Sequence, residues 1–243
     1  MKLTHLFDRI AIINLPERAD RRQEMAHELA AVGLALDAPG VQLWPAHKPA
    51  DAGGFPSRGA HGAYISHLGV LKQARADGVQ RLLVMEDDLM IDPRLNAALP
   101  SLAAALSASD WGVVYVGHMG SDTRLPVRLE ATQAPQQCLH CYAVHHHWFD
   151  ALIAYLEACL ARPAGHPEGG LMHVDGAVSM FRARNPGCVT WLVQPSMGRQ
   201  RPSKSDITLN RWYDRLPVAR SLVAWVRQLK ARRLRAATRH PSP

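Results

Sequence analysis

Glu86-Asp87-Asp88 is the cluster on which chemistry could rest: three consecutive carboxylates that follow the apolar run Leu82-Leu-Val-Met85. Packed together, three acids repel one another and raise each other's pKa unless a cation lies among them. Hard carboxylate oxygens suit Mn²⁺ or Mg²⁺, ions that in enzymes keep positions open for substrate phosphates. The plainer reading is an acidic, solvated turn or helix start, because Asp and Glu favour a helix N-terminus. The stretch alone leaves the two readings open.

The elements around it must be inferred from spacing. Leu82 to Met85 does not alternate with polar residues, so it predicts a buried strand in a parallel sheet covered by helices on both faces. In open α/β sheets ligands gather beyond the carboxyl ends of the strands, where the three acids would emerge. Ala11 to Leu15 predicts a first strand and residues 16–32 a helix, with Asn14 and Glu17 as its starting box and Pro16 in the first turn. Arg18, Arg21 and Arg22 crowd those turns, where they either meet phosphate oxygens or form a solvated face. Residues 37–60, rich in Pro, Gly and Ala, read as a loop that could cover a cleft.

A helix over Gly62 to Ala76 carries Ser66 and His67 in its early turns, and a His in that setting reads first as a structural hydrogen-bonder. Pro93 opens a helix to Leu106, and Trp111 to Gly117 predicts a central strand. Residues 118–136 read as loop, Cys138 to Val144 as strand, Trp148 to Leu160 as helix and Val189 to Val193 as a last strand. Asp175 precedes Gly176 as a turn or cap residue, and the polar segment from Gln200 to Ile207 reads as linker or substrate loop. Alternation of strand and helix predicts an α/β fold.

Composition narrows the setting. The 243 residues are 47% hydrophobic and 20% charged, enough for one extended α/β domain or two small ones. No run reaches the ~20 apolar residues a membrane helix needs. The N-terminal apolar patch Ile10 to Ile13 follows Asp8 and Arg9, so neither a secretion signal nor a spanning helix is expected. Cys138, Cys141, Cys159 and Cys188 are too few and too scattered for a disulfide framework, which fits a reducing cytoplasm. Cys138 and Cys141 beside His145, His146 and His147 could be weighed as a zinc site, but a strand turns the two thiols to opposite faces. Packed thiols next to a His cluster at a helix start are expected instead.

The net charge of +7 is concentrated, since residues 208–243 hold nine Lys or Arg and one Asp while residues 1–207 sum to −1. A basic arm on a neutral body argues for an acidic surface partner and against a nucleic-acid groove. Within it, Leu216 to Arg239 can form a helix with Leu222, Trp225, Val226 and Leu229 on one side, suited to an anionic membrane surface or to docking on the body.

Several segments together resemble glycosyltransferase family 25, the bacterial lipopolysaccharide and lipooligosaccharide sugar transferases related to the collagen galactosyltransferases. The carriers are Ile13-Asn-Leu15 with Arg18 and Arg21, Gly62-Ala-Tyr-Ile-Ser66-His67, and Leu83-Val-Met-Glu86-Asp87-Asp88, in that order. Weaker matches are Val114 to Gly117, Cys141 to Val144, Asp175, and Pro195 with Gln200 and Ser205-Asp206-Ile207. The chain departs from the family at Pro16-Glu17, where Asp-Arg is frequent, and at Val174 and Gly176, where an aromatic residue commonly adjoins the Asp.

The resemblance implies an α/β fold of the glycosyltransferase A type, a Rossmann-like mixed sheet flanked by helices, with a catalytic domain over residues 1–207 and a basic amphipathic tail over 208–243. It implies a UDP-sugar donor, usually UDP-galactose, Mn²⁺ or Mg²⁺, inversion at the anomeric carbon, and a glycan or lipid-linked acceptor such as the lipopolysaccharide core. Asn14, Leu15, Arg18 and Arg21 become candidates for the nucleotide pocket, Ser66 and His67 for its wall or the sugar phosphate, and Gln200, Ser205 and Asp206 for the donor site. Glu86, Asp87 and Asp88 take the place of the metal motif, with Asp88 as direct ligand and Glu86 facing ribose or a metal-bound water. Asp175, apart from that cluster, is the candidate for the base. The expected location is cytoplasmic and peripheral on the inner face of the membrane. Two readings compete: a metal-dependent phosphohydrolase, for which the spaced His/Asp ligands of a two-metal site are missing, and a membrane-associated adaptor with a degenerate transferase fold.

Overall fold

Four strands whose residues are almost wholly apolar define the centre of the molecule, seen in a computed structural model that describes residues 1–120 and 126–201. In chain order the elements are α1 (Leu3–Leu6), β1 (Arg9–Asn14), α2 (Ala19–Ala31), β2 (Val41–Pro45), α3 (Arg58–Ala76), β3 (Arg81–Glu86), β4 (Leu89–Ile91) and α4 (Leu95–Ser107). There follow β5 (Val113–Gly117), β6 (Arg128–Ala131), β7 (Cys141–His145), a 3-10 turn (His146–Trp148), α5 (Phe149–Leu160), α6 (Val174–Arg184), β8 (Thr190–Gln194) and β9 (Gly198–Gln200). Seven strands form one sheet in the order β2-β1-β3-β7-β5-β8-β6, and β4 pairs with β9 in a separate ribbon. β1 runs parallel to β2 and β3, and β5 parallel to β8, while β7 is antiparallel to both β3 and β5 and β6 is antiparallel to β8. This is the mixed sheet flanked by helices that the fold class requires.

Why the central strands lack alternation is visible in where their side chains go. Ala11, Ile13, Leu82, Val84, Tyr142, Val144, Val113 and Tyr115 pack on the face covered by α3, α5 and α6. Their neighbours Ile10, Ile12, Leu83, Met85, Ala143, Val114 and Val116 pack on the opposite face with α1, α2 and α4. Both faces are therefore dry, and each fully buried aliphatic side chain contributes roughly 1.5–3 kcal/mol relative to exposure. No described helix is long and apolar enough to cross a membrane.

Three of the expected boundaries change. Residues 37–60 are not all loop, because β2 pairs along the outer edge of β1 and α3 starts early, at Arg58, capped by Ser57 accepting from Ala60 N at 3.0 Å. Residues 118–136 contain β6, the other edge of the sheet. The segment after Pro195 holds β9, whose pairing with β4 fixes it against the acidic turn. The four unexpected strands, β2, β4, β6 and β9, are at an edge or in a two-stranded ribbon and are short or half-exposed, so no buried-strand pattern marks them. Ser205, Asp206 and the helix expected over residues 216–239 lie outside the described residues.

Candidate functional site

The carboxyl ends of β1 and β3 open onto a cavity of about 310 Å³. Register explains the placement: Ile13 lies beside Glu86, so Asn14 comes level with Asp87 one step further along, buried behind the cavity and not lining it. Asn14 Nδ2 donates to Asp87 Oδ2 at 2.6 Å and to the Arg18 carbonyl at 3.3 Å, and its Oδ1 accepts from Arg22 at 3.0 Å. Asn14 is thus not a helix cap; α2 begins after Arg18, and the Asn side chain braces the turn between them. Arg22 serves the same turn by donating to the Pro16 carbonyl at 2.6 Å.

The cavity is lined by Leu15, Arg18, Arg21, Ser66, His67, Glu86, Asp87, Asp88 and Gln200, which the sequence had singled out in four separate segments. Gln200 reaches it through the β4–β9 ribbon, where Leu89 faces Gln200, and its amide donates to Asp88 Oδ2 at 3.0 Å. Sequence reasoning missed Glu17, His47, Lys48 and Arg58 in the same wall. Lys48 forms an ion pair with Glu17 across the opening. For His47, Lys48 and Arg58 the only signal was a basic residue in an apparent loop, and Glu17 read as part of a helix start; β2 leads the chain back over α3 and brings His47 and Lys48 to the cavity.

Gly62 makes that crossing possible, because a Cβ there would stand 2.5 Å from the His47 carbonyl oxygen. Ser66, one turn on, ties down the crossing chain: its hydroxyl donates to the Gly62 carbonyl at 2.7 Å and accepts from His47 N at 2.8 Å. His67 is buried at the bottom, with Nε2 at 3.3 Å from Glu86 Oε1 and Nδ1 at 3.0 Å from the Tyr142 hydroxyl. A carboxylate can only accept, so Nε2 carries a proton toward Glu86, while Nδ1 meets the Tyr142 hydroxyl.

Each acid has a different electrostatic situation. Burial alone would raise the Glu86 pKa, but the hydrogen bond and charge of His67, helped by His140, hold it below the ordinary value. Burial pushes Asp87 up, with the Asn14 hydrogen bond and Arg21 opposing. Asp88 is pushed up to about 7 by burial and the Glu86 charge, against the pull of Arg21 and Gln200. Arg21 Nη1 stands 4.0 Å from Asp88 Oδ2. Among the described residues, Asp88 Oδ1 is buried with no hydrogen-bond partner. A buried carboxylate oxygen in that state is a hard donor of the kind Mn²⁺ or Mg²⁺ takes, while among the described residues the oxygens of Glu86, Asp87 and Asp88 do not all converge within 4.8 Å of one another.

Asp175 stands elsewhere. It lies in the first turn of α6, not in a loop, and does not line the cavity. Its Oδ2 accepts from Cys138 N at 2.9 Å and its Oδ1 from Gly176 N at 2.8 Å. Cys138, at φ 66°, is the link to the acids, since the charges of Glu86, Asp175 and Asp88 all reach its thiol and help burial push it up to about 11. The expected strand thus begins only at Cys141, and Cys138 has a left-handed backbone conformation before it.

No protein-family model matches the chain. By sequence it is similar to procollagen galactosyltransferase 2 of Homo sapiens, with 24% identity over 198 residues covering 74% of this chain and 31% of that protein. It is also similar to inactive glycosyltransferase 25 family member 3 of Homo sapiens, with 28% identity over 129 residues, 46% of this chain and 22% of that protein. The chain therefore spans less than a third of the length of these two relatives. Among solved structures, a glycosyltransferase involved in the glycosylation of the major capsid of PBCV-1 aligns with TM-score 0.39 at 10% identity, over 77% of this chain and 93% of that one.

Proposed function

We propose that this chain, related in sequence to glycosyltransferase family 25, is a metal-dependent inverting glycosyltransferase that moves a sugar, galactose by that relationship, from a UDP-sugar to a cell-surface glycan acceptor such as the lipopolysaccharide core. The observation that carries the reading is the cavity itself, whose lining combines arginines and a lysine with three carboxylates, one buried oxygen of which lacks a hydrogen-bond partner among the described residues. Arg18, Arg21, Lys48 and Arg58 offer the positive charge a diphosphate needs, with guanidinium forks suited to phosphate oxygens. Asp88, with Glu86 and Asp87 beside it, would hold the ion, which when bound supplies Lewis-acid stabilisation of the departing diphosphate. His67 fixes Glu86 in its ionised, oriented form, so that Glu86 can accept a hydrogen bond from a ribose hydroxyl. Inversion also requires a carboxylate that takes the proton of the acceptor hydroxyl. We assign that role to Asp175, whose half-buried carboxylate lies outside the cavity lining and keeps lone pairs beyond the bonds it accepts from Cys138 N and Gly176 N.

The test is a panel of UDP-sugars with and without Mn²⁺, read by thermal shift and by transfer to a glycan acceptor. One UDP-sugar is expected to raise the melting temperature only with Mn²⁺, because a ligand that binds the native form alone must stabilise it. Asp175→Asn is expected to keep that shift and to lose about 100-fold or more in transfer. Absence of a shift with every donor would remove the transferase reading, and unchanged turnover would remove Asp175 from its role. A second reading, donor binding without turnover, is favoured by the relative whose name calls it inactive; a Mn²⁺-dependent shift with no transfer to any acceptor would establish it.

The nine Lys or Arg of residues 208–243 support a peripheral place on an anionic membrane face, and four free cysteines support a reducing, cytoplasmic one. The full chain should co-sediment with phosphatidylglycerol-containing vesicles at low salt and lose this on deletion of residues 216–243. Sedimentation unaffected by the deletion would place the membrane contact elsewhere.

A further inference from the structure

We propose that His145, His146 and His147 form a binding site for a transition-metal ion of the Zn²⁺, Ni²⁺ or Cu²⁺ class, separate from the cavity that would take the sugar donor. β7 ends at His145, and the 3-10 turn that follows swings the next two rings back onto it. Ring centroids are 4.7 Å apart for His145 and His146, 4.5 Å for His145 and His147, and 4.0 Å for His146 and His147. One ligand nitrogen from each ring lies within 4.8 Å of the others. Three consecutive side chains on a regular strand would alternate in direction, so this convergence is a product of the turn.

The site is built on fixed backbone. His145 N donates to the Gly112 carbonyl at 3.0 Å and His146 N to the Gln80 carbonyl at 2.8 Å, which anchors the turn to the neighbouring segments before β5 and β3. Trp111 sets its edge against the His145 ring at 5.0 Å. Among the described residues, His145 Nδ1 is buried without a hydrogen-bond partner. His145 and His147 also line a second cavity, of about 250 Å³, together with Asp110. Imidazole nitrogens suit borderline-soft ions, and three of them leave a fourth tetrahedral position for water or the Asp110 carboxylate.

Place separates this site from the first. β7 runs antiparallel to β3 with His145 opposite Arg81, so the histidines sit at the start of β3 and Glu86 at its far end. Ligand chemistry separates them as well, because Mn²⁺ and Mg²⁺ prefer the carboxylates. An ion on the histidines would tie the segments before β5 and β3 to the end of β7, which makes its expected effect one on stability.

The experiment is calorimetric titration of the EDTA-treated, reduced full chain with Zn²⁺, accompanied by thermal unfolding. One equivalent is expected to bind and to raise the melting temperature. His146→Ala, at a half-buried position, and His147→Ala, at an exposed one, should keep the wild-type fold by circular dichroism and each weaken Zn²⁺ binding tenfold or more. Asp88→Asn should leave it unchanged. No zinc binding, or binding that both His variants retain at wild-type affinity, would overturn the proposal.

Discussion

Asp88→Asn is expected to abolish sugar transfer while making the metal-free protein more stable at alkaline pH. The two effects share one cause. Burial and the neighbouring Glu86 push Asp88 from an ordinary 3.8 up to about 7, so between those values the native state holds a proton that the unfolded chain has released. Stability attributable to Asp88 is therefore highest below pH 4 and declines as pH rises toward 7, by at most roughly 4 kcal/mol. An amide at this position keeps the hydrogen-bonding shape and removes the charge. The melting temperature of the variant minus that of the wild type should be near zero at pH 4 and rise by several degrees at pH 8 in EDTA. Adding Mn²⁺ should restore the wild type and leave the variant unmoved. Transfer should fall about 100-fold or more, the scale of losing several kcal/mol of charge stabilisation. A difference in melting temperature independent of pH would show that the carboxylate is not strained by burial, and retained Mn²⁺-dependent transfer would place the ion elsewhere.

Such a residue illustrates what was readable in advance. Leu82 to Met85 announced itself because both faces of β3 are covered, leaving no polar alternation, and the acids at its end could be placed from the rule for open sheets. The contents of the cavity were readable as segments but not as contacts. Gln200 lies 112 residues from Asp88 in sequence and joins it only because β9 pairs with β4. Lys48 and Arg58 lie within what reads as a structureless stretch, and nothing local distinguishes them from solvated cations; β2 and the close approach at Gly62 bring the chain at His47 and Lys48 over α3, whose start carries Arg58 at the cavity. Asp175 shows the opposite error. Its setting before a glycine suggested a turn or loop, but Val174, Ala177, Val178 and Phe181 bury one side of a helix that begins there.

Arg182→Met is expected to cost about 3 kcal/mol of stability, the largest single loss anticipated outside the cavity. Arg182 is 1% exposed, and among the described residues no carboxylate pairs with it. Its charge is instead distributed over oxygens of three segments. Nε donates to Thr190 Oγ1 at 2.8 Å, Nη2 to the Thr132 carbonyl at 3.0 Å, and both Nη atoms approach the Ala134 carbonyl at 3.4 Å. The guanidinium also lies 5.3 Å from the centre of the Tyr115 ring. One side chain on α6 therefore holds β8, the chain leaving β6 and β5 together. Methionine would fill much of the volume and avoid burying a charge, but it takes the guanidinium donors from the Thr132 carbonyl and Thr190 Oγ1 and leaves the Ala134 carbonyl with the Gln136 amide. For a chain of this size the loss corresponds to a melting temperature lower by roughly 6–12 °C. Arg182→Lys should not rescue it, since a single ammonium cannot span the three segments that the planar fork reaches. Hydrogen exchange should show β6 losing protection first, as among the described residues it is an edge strand paired with β8 alone. Mn²⁺-dependent donor binding well below the melting temperature should persist, because α6 contributes nothing to the wall of the first cavity. A methionine variant within 1 kcal/mol of wild type, or one rescued by lysine, would show that packing volume or charge alone suffices there.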